Sequence, residues 1–562
     1  MERPESYACK VFNEEDYPKI TEDWTTATCL ELVIEWLRGV ILREWNGKAE
    51  IQKCSAVGGV LELMSSIYNY YGGRCVTCES FETPYVAETL DILLMPGTWM
   101  EFGGDNNLIH LLNYPFLFRP STLVSFFRAI NHAAMAKAYH EAKINAKLVE
   151  SLGFSSRETG QGNLKSDDRV RRLTEENLFL TIRRDNILTD AFDQLWRRQQ
   201  QELTRPLKVI LGEDEGEEGE DHGGIQQEFL RLATAEFMDP KYGTFTTDSV
   251  TGMAWFQPSS LEPLYKFELF GLLTSLAIYN GLTLPFNLPI AFYMKLLNHP
   301  PSHLEDIEDG WPELAKGLKA LKDWSDGDVE DTFCRAYQFS VDVFGTAQSV
   351  DMMPPSKSSP TTSRSSSPGI PMVTNANRHQ YIQDYIYHLT TTSIEPQYEA
   401  FAKGFKAIIN PKSLDLFTVT ALQTLIQGVP KINTHDLEAV TKYEGGYFAE
   451  HYIIKHFWSI VHGWASGQGS EGPFSQNKEE AMEIGQARVQ QLLEFVTASD
   501  RLPVGGEARV AFVVQKNGVG DERLPTSLTC FGRLLLPEYT SRWKTEKMLE
   551  RAVENARGFG QP

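Results

Sequence analysis

The segment Tyr265 to Tyr279 is an almost uninterrupted apolar helix that stops at Asn280-Gly281. A helix that is apolar on every side has to be covered on every side, so the chain around it must fold in layers. The greasiest stretch, Leu269 to Phe286, is broken by Thr274, Ser275, Asn280 and Thr283. It therefore reads as a buried helix and turn, not as a membrane span.

With 562 residues, 42% apolar and 23% charged, the chain can bury large cores and has room for about three or four domains. Lys plus Arg number 53 against 75 Asp plus Glu, a formal charge of -22. Phosphate backbones repel such a chain and no long basic stripe is present, which argues against nucleic acid as a partner. The opening, Met1 to Glu5, has no basic and apolar leader, so secretion is not expected. Seven cysteines, five of them between Cys9 and Cys78, are too few and too uneven for a disulfide scaffold. The expectation is a soluble protein of the cytoplasm, the nucleus or both, with reduced thiols and no cofactor.

Helical stretches alternate with Gly/Asn-rich breaks up to about residue 160, which gives an N-terminal helical region, 1–164, of unassigned role. The spacing of Leu178, Ile182, Leu188, Phe192 and Leu195 predicts one long helix over Asp167–Gln201. Glu213 to Asp221, with seven carboxylates, reads as a solvated loop between Val209–Leu211 and a helix from about Ile225. The Ser/Pro/Thr-rich stretch 346–371 cannot bury enough apolar area to offset its ordering entropy and is expected to be a disordered insertion. After a helix over Ser413–Ile426, the run Gly428-Val429-Pro430-Lys431 pairs a glycine of free dihedrals with a proline that cannot continue a helix, and reads as a hinge. Beyond it, 432–562 forms a smaller unit. An amphipathic helix runs through Val489, Leu492, Leu493 and Val496, and strands lie over Arg509–Gln515 and near Arg533–Leu536. A loop over Asn517–Thr529 joins the strands, and a closing helix spans Ser541–Ala556. The fold class is mostly α with α+β.

Cys530 carries the most chemical information. It follows a Pro/Thr/Ser loop and precedes an apolar strand, where a side chain can be accessible yet held by a scaffold. A thiol is the most nucleophilic common side chain near neutral pH. A thiol hydrolase would need an imidazole base, and all twelve histidines lie upstream, the nearest being His462. That excludes the papain-like order and leaves the caspase-like order open. Exchange of one thioester for another is close to isoenergetic and needs only positioning.

Leu524 to Phe531, followed by Leu534-Leu535-Leu536-Pro537-Glu538-Tyr539, resembles the active-site segment of HECT-type ubiquitin–protein ligases. Other blocks match the family in the same order: Arg183 to Asp190, Gly223 to Phe229, Ala277 to Gly281, Phe401 to Phe405, Tyr443 to Tyr447 with Phe457-Trp458, Ser499 to Gly506, and Gly558-Phe559-Gly560. The likeness runs from about Lys165 to Pro562, and its C-terminal part is most similar to the subgroup of the Angelman-syndrome ligase. It implies a bilobal domain, with a larger helical N-lobe over 165–428, a hinge at 429–431 and an α/β C-lobe over 432–562.

By this resemblance the N-lobe binds a ubiquitin-charged conjugating enzyme (E2). Cys530, with Thr529 beside it, takes ubiquitin as a thioester and passes it to a lysine of a protein substrate. Leu314, Leu318 and Leu321 fall at i, i+4 and i+7, hence on one helix face. The resemblance makes this face, with Tyr381 and Tyr385, the groove that grips the E2, and makes Phe559 a tail residue needed for transfer. Two positions depart from the family: Leu528 stands where His is common and Gly532 where Asn is usual. Cys75 and Cys78, with Cys54, form a weak zinc signature against which surface or buried thiols are the plainer reading, so no metal is assigned.

Overall fold

The computed structural model describes residues 26–72, 76–104, 107–151, 174–212, 224–343, 346–352, 371–469, 472–475 and 477–555, leaving out the side chains of 26–28, 224, 342, 473, 530 and 555. The chain divides into two compact units, 1–130 with 411–421, and 131–410 with 422–562.

The first unit holds helices α1 (Thr26–Glu44), α2 (Ala56–Tyr71), α3 (Pro84–Thr89) and α4 (Leu94–Glu101), and the start of α5 (Pro120–Ser151). A short antiparallel pair, β1 (Glu50–Gln52) and β2 (Leu108–His110), sets Ile51 opposite Ile109. Ile34, Leu37 and Ile41 give α1 one buried stripe. The Ser55 side chain caps α2 by accepting from the Gly58 N–H. Residues 411–421, which the sequence reading assigns to the N-lobe, pack inside this unit. There the Lys412 ammonium donates to the carbonyls of Trp99 (2.7 Å), Met100 (3.1 Å) and Phe102 (2.8 Å), the C-terminal end of α4. The helix expected over Ser413–Ile426 is accordingly two pieces, a single turn at Pro411–Leu414 and a helix Val419–Gln427, with the Thr418 hydroxyl accepting from the Ala421 N–H between them.

His110 is buried in this unit, and its Nδ1 accepts from the Leu112 N–H at 3.1 Å. Burial, with the Lys412 ammonium second, pushes its pKa down to about 4 from 6.5. The unfolded chain takes up a proton on this imidazole as pH falls through 6.5, whereas the folded chain does so only near 4. Acid therefore draws the equilibrium toward the unfolded state across that window, by up to about 3 kcal/mol. His110→Asn keeps an acceptor and does not titrate. The melting midpoint of the wild type is expected to fall relative to this variant between pH 6.5 and 4. A difference that does not change with pH would contradict the assignment.

The second unit is built around α8 (Leu264–Tyr279), buried over nearly its whole circumference as its composition requires. Before it come the parallel pair β3 (Leu178–Ile182) and β4 (Leu207–Leu211), α6 (Ile187–Leu195), α7 (Gly224–Met238), and the hairpin β5 (Phe245–Thr247) and β6 (Ala254–Phe256). After it come α9 (Ile290–Leu296), α10 (Pro312–Asp323), the hairpin β7 (Gln338–Val343) and β8 (Thr346–Asp351), α11 (Arg378–Thr390) and α12 (Glu395–Phe405). Of the long helix expected over 167–201, residues 167–173 lie outside the described residues, and the described part holds β3 and α6 in place of one helix. Leu178, Leu180 and Ile182 are buried at a spacing of two, against β4, so the first part of the apparent helical spacing belongs to a strand. The expected insertion starts too early as well: Thr346 to Asp351 pair with β7, while 353–370 and the acidic run 213–221 lie outside the described residues.

α8 and α12 cross at two glycines. A Cβ on Gly271 would sit 2.0 Å from the Phe401 carbonyl oxygen, and one on Gly404 would sit 1.8 Å from that of Glu268. Only two side-chain-free residues allow backbones this close. Phe270 and Phe401 flank the crossing and meet at 6.0 Å between ring centroids.

Past the helix Val419–Gln427, labelled α13, the chain enters the C-terminal region. It consists of α14 (Thr434–Val440), β9 (Lys442–Glu444), α15 (Tyr452–Ala465), the small pair β10 (Gln468–Gly469) and β11 (Gly472–Pro473), α16 (Lys478–Thr497), β12 (Val513–Val519), β13 (Thr526–Leu528), β14 (Arg533–Glu538) and α17 (Arg542–Asn555). The sheet order is β13-β14-β12-β9, parallel except for β13 on β14. Phe457, Trp464, Leu493, Val514, Leu534, Leu536 and Tyr539 fill its core. The strand expected over Arg509–Gln515 begins at Val513, because Gly506–Arg509 is a 3-10 turn entered through Gly505 at φ +103°. β13 occupies part of the expected loop 517–529.

Candidate active site

Thr529–Phe531 form a single 3-10 turn between β13 and β14, and this turn carries the Cys530 backbone. Its two apolar neighbours face solvent: Leu528 is 45% and Phe531 46% exposed. The turn closes on Gly532, in the left-handed region at φ +55°, whose N–H donates to the Thr529 carbonyl at 3.1 Å. A Cβ at Gly532 would lie 1.9 Å from the Ala511 carbonyl oxygen, so this position has room only for glycine. The departure from the usual Asn thus has a local cause, the close approach of the Ala511 backbone two residues ahead of β12.

The loop that delivers the turn is pinned at its base. Asp521 accepts from the Thr540 N–H (2.9 Å) and hydroxyl (2.6 Å), which hold its carboxyl below the usual range. The Tyr539 hydroxyl donates to the Arg523 carbonyl at 2.6 Å. Glu538 takes hydrogen bonds from Lys516 and from the Tyr452 hydroxyl, and these hold its carboxyl low. The backbone turn at Cys530 therefore sits at the end of the sheet, on a loop fastened at its base. His462, the nearest upstream imidazole in sequence, sets its ring nitrogens 2.8 Å from the Thr434 hydroxyl and 2.8 Å from the Glu438 carboxylate.

The turn also approaches the N-terminal half of this unit, with Cα atoms of α7 within 8 Å of it. Arg231 of α7 lies 3.7 Å from Glu494 of α16, and the Arg501 guanidinium donates to the Gln427 side-chain carbonyl at 3.0 Å. Between these contacts runs the expected hinge. Gly428 has φ +77°, and a Cβ there would meet the Leu502 carbonyl at 2.5 Å. Val429 is bridged to Leu502 through N–H···O bonds of 2.8 and 2.9 Å, and the Pro430 carbonyl accepts from Gln490 at 2.7 Å. Of the four expected hinge residues, Val429 and Pro430 are thus already fastened to the C-terminal region, and Lys431 follows them. The left-handed dihedral is at Gly428.

Leu318, Leu321, Tyr381 and Tyr385 do not line a groove. Their exposures are 0%, 1%, 0% and 6%, and they form the core of a cluster with Ile307, Phe339 and Ile386. Tyr337 meets Tyr381 edge to face within it, and Tyr381 and Tyr385 meet at a tilt. Of the expected docking residues Leu314 alone is half-buried, on the outside of that core with Trp311, Trp324 and Leu389. Spacing placed the leucines on one face correctly, and that face turns inward.

Phe559 and Cys75 lie outside the described residues. Cys54 is exposed, and Cys78 lies under the Tyr68 hydroxyl at 3.9 Å, with burial pushing its thiol up, away from the thiolate that zinc requires. Among the described residues the histidine, cysteine and carboxylate side chains that converge as metal donors are His435, Glu438 and His462, a group the sequence reading missed.

The description "HECT-domain (ubiquitin-transferase)" matches residues 231–471 and 476–561, more than half of the chain. The chain belongs to the HECT family. Human "Probable E3 ubiquitin-protein ligase HERC4" is 32% identical over 512 residues, covering 89% of this chain and 43% of that protein. Mouse "Probable E3 ubiquitin-protein ligase HECTD2" is 29% identical over 553 residues, 94% of this chain and 64% of that protein. The HECT chain thus spans about half the length of the curated relatives it matches. As in that family, its fold is α-rich α+β, and no helix among the described residues is long and apolar enough to cross a membrane.

Proposed function

We propose that this HECT protein is an E3 ubiquitin–protein ligase whose Cys530 accepts ubiquitin from a charged E2 and passes it to substrate lysines. The Cys530 thiolate attacks the thioester carbonyl at the ubiquitin C terminus, and the E2 thiolate leaves. The substrate ε-amine then attacks the new thioester, loses its proton and expels the Cys530 thiolate. The observation that carries the reading is the Cys530 turn, clamped by Gly532 at the sheet end and flanked by exposed Leu528 and Phe531. Thr529 opens that turn, and its carbonyl accepts from Gly532, so its role is to hold the nucleophile in place. Rotation about Gly428 lets the C-lobe turn between donor and acceptor. Phe559 acts in the second transfer. The Angelman-type subgroup belongs to this proposal on its C-lobe motifs, as does residence in the cytoplasm, the nucleus or both.

The E2 docks on the cluster built over Leu318, Leu321, Tyr381 and Tyr385, and the contact itself falls to the half-buried residues outside that core, Leu314 among them. Leu314→Glu is expected to slow loading from E2 at least tenfold, about 1.4 kcal/mol, with the melting midpoint unchanged. Leu318→Asp should instead unfold the cluster, because it buries an unpaired charge. Unchanged loading by Leu314→Glu would refute this docking surface.

The activity itself is tested by incubating the protein with activating enzyme, E2, ATP and ubiquitin and separating the products without reductant. The expected result is a thiol-labile ubiquitin adduct. No adduct with several E2s would favour a non-catalytic scaffold, and release of ubiquitin from chains without E2 or ATP would favour a hydrolase.

A further inference from the structure

We propose that the C-lobe carries a divalent-cation site formed by His435, Glu438 and His462. His435 and Glu438 stand at i and i+3 of α14, on one helix face, and His462 comes from the last turn of α15. Their donor atoms all lie within 4.8 Å of one another. Nε2 of His462 is 2.8 Å from the Glu438 carboxylate. Donors around a tetrahedral ion with bonds of about 2.0–2.2 Å are spaced by roughly 3.4 Å, so small side-chain rotations close the set. His435 is exposed and stacks on His462 with centroids 4.0 Å apart; to bind, its ring would have to leave that stack.

The surroundings support His462 as a ligand. The Thr434 hydroxyl, buried, meets its Nδ1 at 2.8 Å, which fixes the ring and directs Nε2 at the carboxylate, and Trp458 stacks on the same ring at 5.7 Å. Two imidazoles and one carboxylate, with a fourth position open to water, suit Zn²⁺ and the later first-row divalent ions. Mg²⁺ and Ca²⁺ prefer all-oxygen shells. Glu438 and His435 face solvent enough for an ion to reach them. A bound ion would tie α14, which starts just past the hinge, to α15 in the C-lobe core.

The test uses the full chain and Co²⁺ alone, whose spectrum separates nitrogen and oxygen ligation from thiolate ligation and so sets aside any binding by cysteines. The wild type is expected to bind one Co²⁺ with visible d–d bands and no thiolate-to-metal band, and Zn²⁺ should bleach those bands. His435→Ala and Glu438→Gln, with unchanged circular dichroism, should each weaken binding at least about tenfold. Zn²⁺ should raise the melting midpoint of the wild type and of neither variant. Absence of the bands, thiolate bands only, or equal binding by the variants would overturn the site.

Discussion

Gly404→Ala is expected to lower the melting midpoint of the second unit by roughly 6 °C or more, from a cost of about 3 kcal/mol or above. The added methyl would start 1.8 Å from the Glu268 carbonyl and 2.8 Å from the Leu272 amide nitrogen, both backbone atoms of α8. Neither can move alone, because α8 is packed on all sides, so the helices must separate along their crossing and loosen the aromatic cluster around Phe270 and Phe401. Gly317→Ala gives the opposite sign. Gly317 lies on the exposed side of α10 with nothing within 4 Å of its Cβ position, and alanine there should stabilise by up to about 1 kcal/mol through helix propensity. Denaturation followed by circular dichroism measures both. Equal midpoints for the two variants would show that the crossing tolerates side chains.

Gly532→Ala is expected to cut ubiquitin loading at least a hundredfold, about 2.7 kcal/mol, while leaving the helices around α8 folded. The substitution asks a residue with a side chain to hold φ +55° and drives its Cβ to 1.9 Å from the Ala511 carbonyl. The turn must shift to relieve that contact, and displacement of a reacting group by about 1 Å costs on this scale. Asn tolerates the left-handed region better than Ala but brings the same Cβ, so Gly532→Asn should not restore loading. Single-turnover loading from a charged E2 reads both variants. Wild-type rates in either would mean that the turn's position does not govern the chemistry.

The Cys530 segment was legible in the sequence because its signal is local: a nucleophile, a Pro/Thr/Ser approach and an apolar strand within fifteen residues. The buried helix α8 was legible for the same reason. Periodicity failed where two element types ran together, as in β3 followed by α6, whose apolar residues mimic one helical stripe. Periodicity puts Leu318 on one helix face without saying where that face points; the docking role of Leu318 and Tyr381 came from the family resemblance, and both side chains are buried. The glycine crossing joins positions 271 and 404, and the cation site joins α14 to α15. Such pairings depend on how distant segments meet, and no pattern along the chain encodes them. β12 was placed four residues early, since the expected strand over Arg509–Gln515 ran into the 3-10 turn at Gly506–Arg509 that sets its true start.

In the proposed reaction one sulfur atom, that of Cys530, carries ubiquitin between two partners. The direct measurement maps the attachment point in Cys530→Ser after incubation with charged E2, where a trapped oxyester survives digestion. Mass spectrometry should place the diglycine remnant of ubiquitin on position 530, and the wild-type adduct should vanish with thiol. A remnant found only on other residues, or an undiminished thiol-labile adduct on Cys530→Ala, would contradict the account.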